Sequence, residues 1–212
     1  MKTVAVIDYG MSNLRSVSKA LEHVAEQQWQ VMISRDADEI YHADKIVFPG
    51  QGAIGNSMQL LNDTGLAEVI RHTLENKPFL GICLGLQTLL TESEESGGTQ
   101  GFDFIKGKVK HFSEPLRNPK NCENLKIPQM GWNQVKQAQS HPLWKNIADE
   151  SRFYFVHSYY VEPEDKTVTA GTTDYGIKYT SAIAKDNVFA VQFHPEKSQH
   201  AGLMLLDNFL KW

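Results

Sequence analysis

The sequence predicts an α/β fold, a mostly parallel central sheet flanked by helices with an antiparallel extension. Three observations predict it. In the first half, short apolar runs alternate with segments whose apolar residues recur at helical spacing, the β-α-β-α order of a parallel sheet. Those runs are nearly continuous rather than alternating, as in strands buried on both faces. In the second half, strand-like runs follow one another closely with few helices between them, which antiparallel neighbours allow and parallel ones do not.

Element by element, Thr3-Val4-Ala5-Val6-Ile7 is rich in β-branched residues and stops at Asp8-Tyr9-Gly10, so it reads as a first strand. Leu14, Val17, Leu21, Val24 and Ala25 then mark a helix face. Val31-Met32-Ile33 and Lys45-Ile46-Val47-Phe48 are the next strands, with a polar stretch between them. The turn Pro49-Gly50-Gln51-Gly52 leads into a helical segment running to about Glu75, and Pro78-Phe79-Leu80-Gly81-Ile82 is the fourth strand. A further helix is expected from Leu84. Ser93 to Gly101 is polar and glycine-rich and reads as a loop. Beyond it, Lys108–Phe112, Trp132–Val135, Arg152–Val156, Thr167–Ala170, Thr180–Ala184 and Val188–Phe193 read as strands, and Ala201 to Leu210 as a closing helix. Pro115, Pro119 and Pro128 punctuate an irregular insertion. No repeat or linker divides the chain, so residues 1–212 are expected to form one domain.

With 212 residues, 41% hydrophobic and 22% charged, the chain is of ordinary globular composition. A net charge of −4 gives no electrostatic footprint for nucleic acid. The apolar start reaches Asp8 too soon for a signal-peptide core, and no apolar run approaches the roughly 18 residues of a membrane span. Cys83 and Cys122 make neither a CxxC pair nor a zinc spacing. A disulfide between them stays open on counting alone. A cytoplasmic location is the expectation.

The chemistry-bearing signal is Gly81-Ile82-Cys83-Leu84-Gly85, which follows an apolar strand and opens a helix. This is the setting of a nucleophile elbow with cysteine in place of serine. Flanking glycines leave room for a strained turn that lifts the sulfur above the carboxyl end of the sheet. There the helix N-terminus favours thiolate, and the Leu84 N–H points toward a developing oxyanion. A buried cysteine at a tight turn would give the same pentapeptide. The nucleophile needs a base. His194, in Phe193-His194-Pro195-Glu196, ends a strand with a carboxylate two residues on, able to hold the imidazole in one tautomer. His157, in Val156-His157-Ser158-Tyr159, is the competing base. In Pro49-Gly50-Gln51-Gly52, two glycines around one residue let a peptide plane turn its N–H into a site. An ordinary strand-to-helix loop would look the same. A dinucleotide fingerprint and a P-loop lysine are both missing.

Together, in this order, these segments resemble the class I, triad-type glutamine amidotransferases, nearly from end to end. The resemblance implies Cys83 as nucleophile, His194 as general base and acid, and Glu196 as its orienter. It implies Gly50, Gln51, Gly52 and Leu84 around the oxyanion, Gln87 at the amino-acid end of glutamine, and His157, Ser158 and Tyr159 along the pocket. It implies that no metal or organic cofactor is needed. Asp8-Tyr9-Gly10-Met11-Ser12-Asn13-Leu14, Met130-Gly131-Trp132-Asn133 and Phe155–Tyr160 are similar to the branch that serves imidazole glycerol phosphate synthase. That branch implies a heterodimer with a (β/α)8 cyclase subunit, faced by Asn13, Trp132 and Lys197. Ser12 stands where the family often has glycine, and Gln129 where it often has histidine. A glutaminase feeding a sugar-modifying synthase, and a stand-alone thiol hydrolase of γ-glutamyl substrates, are the alternative readings.

Overall fold

A computed structural model of the chain describes residues 1–10, 14–113, 115–117 and 122–212. Met11, Ser12, Asn13 and Pro119, named above, lie outside them. In chain order the elements are β1 (Lys2–Ile7), α1 (Leu14–Val24), β2 (Trp29–Ser34), α2 (Ala37–His42), β3 (Lys45–Gly50), α3 (Ile54–Asp63), α4 (Leu66–Asn76), β4 (Phe79–Cys83) and α5 (Leu84–Gln87). Then follow β5 (Leu90–Ser93), β6 (Thr99–Gln100), β7 (Ile105–His111), β8 (Gln129–Gln134), β9 (Lys136–Gln137), β10 (Arg152–His157), β11 (Tyr159–Pro163), β12 (Thr169–Asp174), β13 (Lys178–Lys185), β14 (Val188–Val191) and α6 (Gln199–Lys211).

The main sheet runs β2-β1-β3-β4-β14-β13-β11-β7-β5-β6, with β12 and β9 branching from β13. The half from β2 to β14 is parallel, and the extension through β13, β11 and β7 is antiparallel, as the sequence predicts. Alternate residues feed two core layers. Val4, Val6, Val47, Leu80 and Ile82 meet α1 and α6 through Val17, Leu21, Leu205 and Phe209. Ala5, Ile7, Ile46, Phe48 and Phe79 meet the other helices through Ile40, Leu61, Ile70 and Leu74. Strands fed from both faces have no polar side to show, which is why their sequences do not alternate.

The structure departs from the predicted elements in several places. β11 (Tyr159–Pro163) joins the antiparallel extension where no strand is expected, and Thr167 and Val168, expected as strand, lie in a 3-10 turn before β12. The helix from Leu84 is one turn long, because the returning chain takes its carbonyls. Phe102 N–H donates to Thr88 O (2.7 Å), Ile105 N–H to Leu89 O (2.9 Å) and Gly101 N–H to Thr91 O (3.0 Å). Leu90 onward then becomes β5, inside what reads as helix and loop. The segment to Glu75 is two helices split at Gly65, whose φ of 73° supplies the left-handed turn. The polar stretch before β3 holds α2, capped by Asp36 accepting from Asp38 and Glu39 N–H. Its single buried apolar residue, Ile40, gives no periodicity to read. Finally, β8 and β10 pair only with each other, as a separate two-stranded sheet.

One buried cation ties the C-terminal helix to the sheet. Lys45, at the start of β3, donates to Phe209 O (2.6 Å), which also accepts the Trp212 N–H (3.3 Å), and to Trp212 O (2.7 Å), at the end of α6. Burial pulls its ammonium down to about 8. The anchor matters because the turn carrying His194 runs directly into α6.

Candidate active site

Strand β4 ends on Cys83 and α5 begins on the next residue, so the reversal falls on one backbone position. Cys83 has φ 55° and ψ −107°, a conformation that L-residues avoid and that costs about 1–3 kcal/mol. Neighbouring glycines make the reversal sterically feasible. A Cβ on Gly85 would drive into the carbonyl oxygen of Phe48 in β3, and one on Gly81 would sit 2.9 Å from Gly85 O. Cys83 is buried and not in a disulfide, and so is separate from exposed Cys122.

His194 is fixed at the facing sheet position by its own turn. Its N–H donates to Tyr154 O (2.9 Å), and its carbonyl accepts from Ser198 Oγ (2.6 Å) and Lys197 N–H (3.0 Å). Its Nδ1 lies 2.9 Å from Glu196 Oε1. A carboxylate only accepts, so Nδ1 carries a proton and Nε2 is the nitrogen left for another partner. Nε2 is buried without a hydrogen-bond partner. Cys83 shares its cavity and biases its charge without completing a hydrogen bond, as in many ligand-free sites. Burial disfavours the imidazolium. The negative sulfur of Cys83 and the Glu196 carboxylate outweigh it and push His194 up to about 10.

These groups open onto one cavity of about 250 Å³. Gln51, Gly52, Cys83, Leu84, Gln87, His157, Ser158, Tyr159 and His194 line it, while Glu196 stands behind His194 and does not reach the cavity. Gly50 lies just behind, level with Cys83 in the β3–β4 register, and a side chain on it would meet the Tyr9 hydroxyl and Leu84 Cβ. Sequence reading missed two of the lining residues, Glu95 and Val156. Glu95 comes from the stretch read as loop, and its Oε2 accepts from Ile54 N–H (2.8 Å), pinning the start of α3 beside Gly52.

Geometry separates the two candidate bases. His157 Nδ1 must donate to Tyr159 O, 2.7 Å away, and its Nε2 sits 3.2 Å from both Gln129 Oε1 and the Tyr179 hydroxyl. Both nitrogens are committed to the wall. Burial, opposed by the Tyr159 carbonyl and reinforced by His194, lowers His157 to about 4. The sign of the linked stability follows. Above the ordinary histidine value of 6.5, His157 is neutral in both states. Between 6.5 and about 4 the unfolded chain binds a proton that the folded one refuses, so stability falls with acid by about 3 kcal/mol. His141, also lowered to about 4 by burial, adds in the same direction. His194 is protonated in both states over that range and adds no slope. Urea unfolding of His157→Asn at pH 7 and pH 4.5 should show a smaller acid loss than the parent chain. An unchanged loss would place the proton uptake elsewhere.

A family model for class-I glutamine amidotransferases matches residues 5–212. The chain belongs to this family. Among its relatives, the imidazole glycerol phosphate synthase subunit HisH of Nitrosospira multiformis is 51% identical, covering 100% of this chain and 99% of that protein. The subunit of the same name from Hydrogenovibrio crunogenus is 52% identical, covering 100% of this chain and 97% of its own. Among solved structures, PurLQS from Thermotoga maritima superposes with a TM-score of 0.71 at 16% identity, over 99% of this chain and 98% of that one. A glutamine amidotransferase from the same organism gives 0.64 at 15%, over 92% and 76%. At such identities the structures speak for the amidotransferase fold alone.

Within this amidotransferase, two of the residues expected at a partner interface share one patch. Trp132 is 38% exposed and meets the Tyr154 ring edge-on at 6.1 Å, while Lys197 Nζ lies 5.8 Å from the centre of that ring. Met130, 65% exposed, projects from the same strand. A larger depression of about 500 Å³ opens beside them, between β8 and β12. It has no cysteine or histidine in its lining, whereas the smaller cavity has both. The patch is one backbone step from the site, because Tyr154 O holds the His194 N–H. Among the described residues, no helix is long and apolar enough to cross a membrane.

Proposed function

We propose that this chain is the glutaminase subunit of imidazole glycerol phosphate synthase, acting in the cytoplasm as a heterodimer with a (β/α)8 cyclase subunit. Identity of 51–52% to HisH proteins along the whole chain carries this reading. Cys83 and His194 on one cavity wall, with Glu196 behind His194 at Nδ1, support the chemistry.

Cys83 thiolate attacks the side-chain amide carbon of L-glutamine. The tetrahedral oxyanion is received by the Leu84 N–H and an N–H of the Gly50-Gln51-Gly52 segment. His194, which holds its proton at neutral pH, gives it from Nε2 to the departing nitrogen. The C–N bond breaks, ammonia leaves, and a glutamyl thioester remains on Cys83. The neutral Nε2 then takes a proton from water as its oxygen attacks the thioester, sulfur leaves as thiolate, and glutamate is released. Glu196 fixes the tautomer throughout. Gln87 and the Glu95 carboxylate are acceptors on the cavity wall suited to the α-ammonium of glutamine, with Ser158 and Tyr159 completing the wall. No step calls for a metal or organic cofactor. Ammonia passes to the cyclase subunit without meeting bulk water, which would protonate it to non-nucleophilic ammonium.

The patch of Trp132 and Lys197 is the docking face, and the family resemblance implies Asn13 as a further residue toward the partner. Glutamate release should rise at least about 100-fold when the cyclase subunit and its nucleotide substrate are added, the size of one supplied oxyanion donor. Equal rates with and without the pair would defeat the partner assignment and favour a stand-alone hydrolase.

A further inference from the structure

Gln192 takes no part in the mechanism above, yet it is wholly buried against the nucleophile. It lies two residues before His194, with its backbone N–H donating to Ser181 O (2.8 Å). Its side-chain oxygen accepts from Gln87 Nε2 at 3.1 Å. That bond decides which way the amide faces. With the oxygen committed to Gln87, the NH2 end is the one turned to Cys83 Sγ, 3.6 Å away, a normal donor distance to sulfur. Gln87 is oriented in turn. Its Nε2 also donates to Tyr159 O (3.2 Å), so both its amide protons are used within the protein and its oxygen is the end left for a ligand. A directed chain of amides therefore runs from the pocket wall through Gln87 and Gln192 to the sulfur.

We propose that Gln192 is a positioning residue for the reaction: it holds the Cys83 thiolate by donating to it, and it holds Gln87 with its carbonyl toward the substrate. The proposal rests on the reading of Cys83 as the nucleophile. Its physical basis is the asymmetry between the two states of the sulfur. A buried donor gains much more from an anion than from a neutral thiol, and it gains most where water is excluded. A glutamine that merely filled space would favour both states alike.

The test is Gln192→Met, which keeps the length of the side chain and removes the donor. Cys83 alkylation by iodoacetamide is followed against pH, with the modified peptides resolved by mass spectrometry so that exposed Cys122 serves as an internal reference. We expect Cys83 to react up to about tenfold more slowly along the rising limb of its pH profile, and the rates to converge with the parent chain once both profiles have reached their plateau. In the complex with the cyclase subunit, kcat for glutamine should fall about 10–100-fold, more than KM rises. An unchanged profile, or a rate lowered equally at every pH, would overturn the proposal, because the latter is a packing effect. If Gln192→Met does not fold, Gln192→Asn keeps the amide while drawing the donor back by one methylene, and the same shift is required of it. The underlying reading fails separately, and takes the proposal with it, if Cys83→Ala of the parent chain still hydrolyses glutamine.

Discussion

Replacing Cys83 with alanine should lower glutamate release by about 10⁴-fold or more, with the cyclase subunit present, while the chain still folds. The size follows from the way the site works as a unit. His194 is held by Glu196 at 2.9 Å and lines the cavity beside Cys83, but neither residue would form the proposed thioester without the sulfur. The folding half of the expectation follows from the backbone. Cys83 sits at φ 55° in the parent chain, so alanine inherits the strain and adds none, and it deletes only a small side chain. Cys83→Gly should be equally inactive but about 1 kcal/mol more stable than Cys83→Ala, because glycine adopts this conformation at little cost. Measured together, the pair separates chemistry from strain. Hydrolysis in Cys83→Ala within a hundredfold of the parent chain would remove Cys83 from the reaction. Equal stability of the two variants would show that the elbow is relaxed.

How legible this site is in the sequence depends on how far each residue's partners lie along the chain. Gly81-Ile82-Cys83-Leu84-Gly85 announces itself because the glycines, the apolar strand before it and the nucleophile are contiguous. His194 and Glu196 are two residues apart, so their pairing is local as well. Gln192 is visible as a letter beside them, but its role needs Cys83 and Gln87, more than a hundred residues away. Glu95 is invisible for a related reason: it reaches the pocket by capping α3, 41 positions upstream. The same distinction governs the fold. The inner parallel strands β1, β3, β4 and β14 are readable because burial on both faces marks each one by itself. The shortness of α5 is not, since it is set by Gly101, Phe102 and Ile105 returning to take carbonyls that a longer helix would have used. The separate pairing of β8 with β10 is likewise a choice of partner, and no strand's own composition records it.

That dependence on distant backbone gives the second large effect. Gly85→Ala should destabilise the chain by about 3 kcal/mol and lower kcat by about 100-fold. An added Cβ would meet the Phe48 carbonyl oxygen, which is backbone in the middle of the sheet and cannot swing aside as a side chain could. Phe48 is fixed against Gly81, and Gly50 against Cys83, by the β3–β4 register. Relief must therefore come from lifting α5 off β3. Lifting α5 moves Leu84 and the Cys83 sulfur away from the Gly50-Gln51-Gly52 segment, so the two sources of oxyanion donors part. Gly55→Ala is the matched control. It lies in the first turn of α3, where the nearest atom to an added Cβ is Thr99 Oγ1 at 3.4 Å, an ordinary contact. There alanine should leave activity unchanged and add about 0.5–1 kcal/mol of stability. Urea midpoints and glutamate release on the two variants decide the matter. A Gly85→Ala chain as stable and as active as Gly55→Ala would mean that the strand and the elbow have slack between them. The close approach of β3 to α5 would then not be what sets the nucleophile against its oxyanion donors.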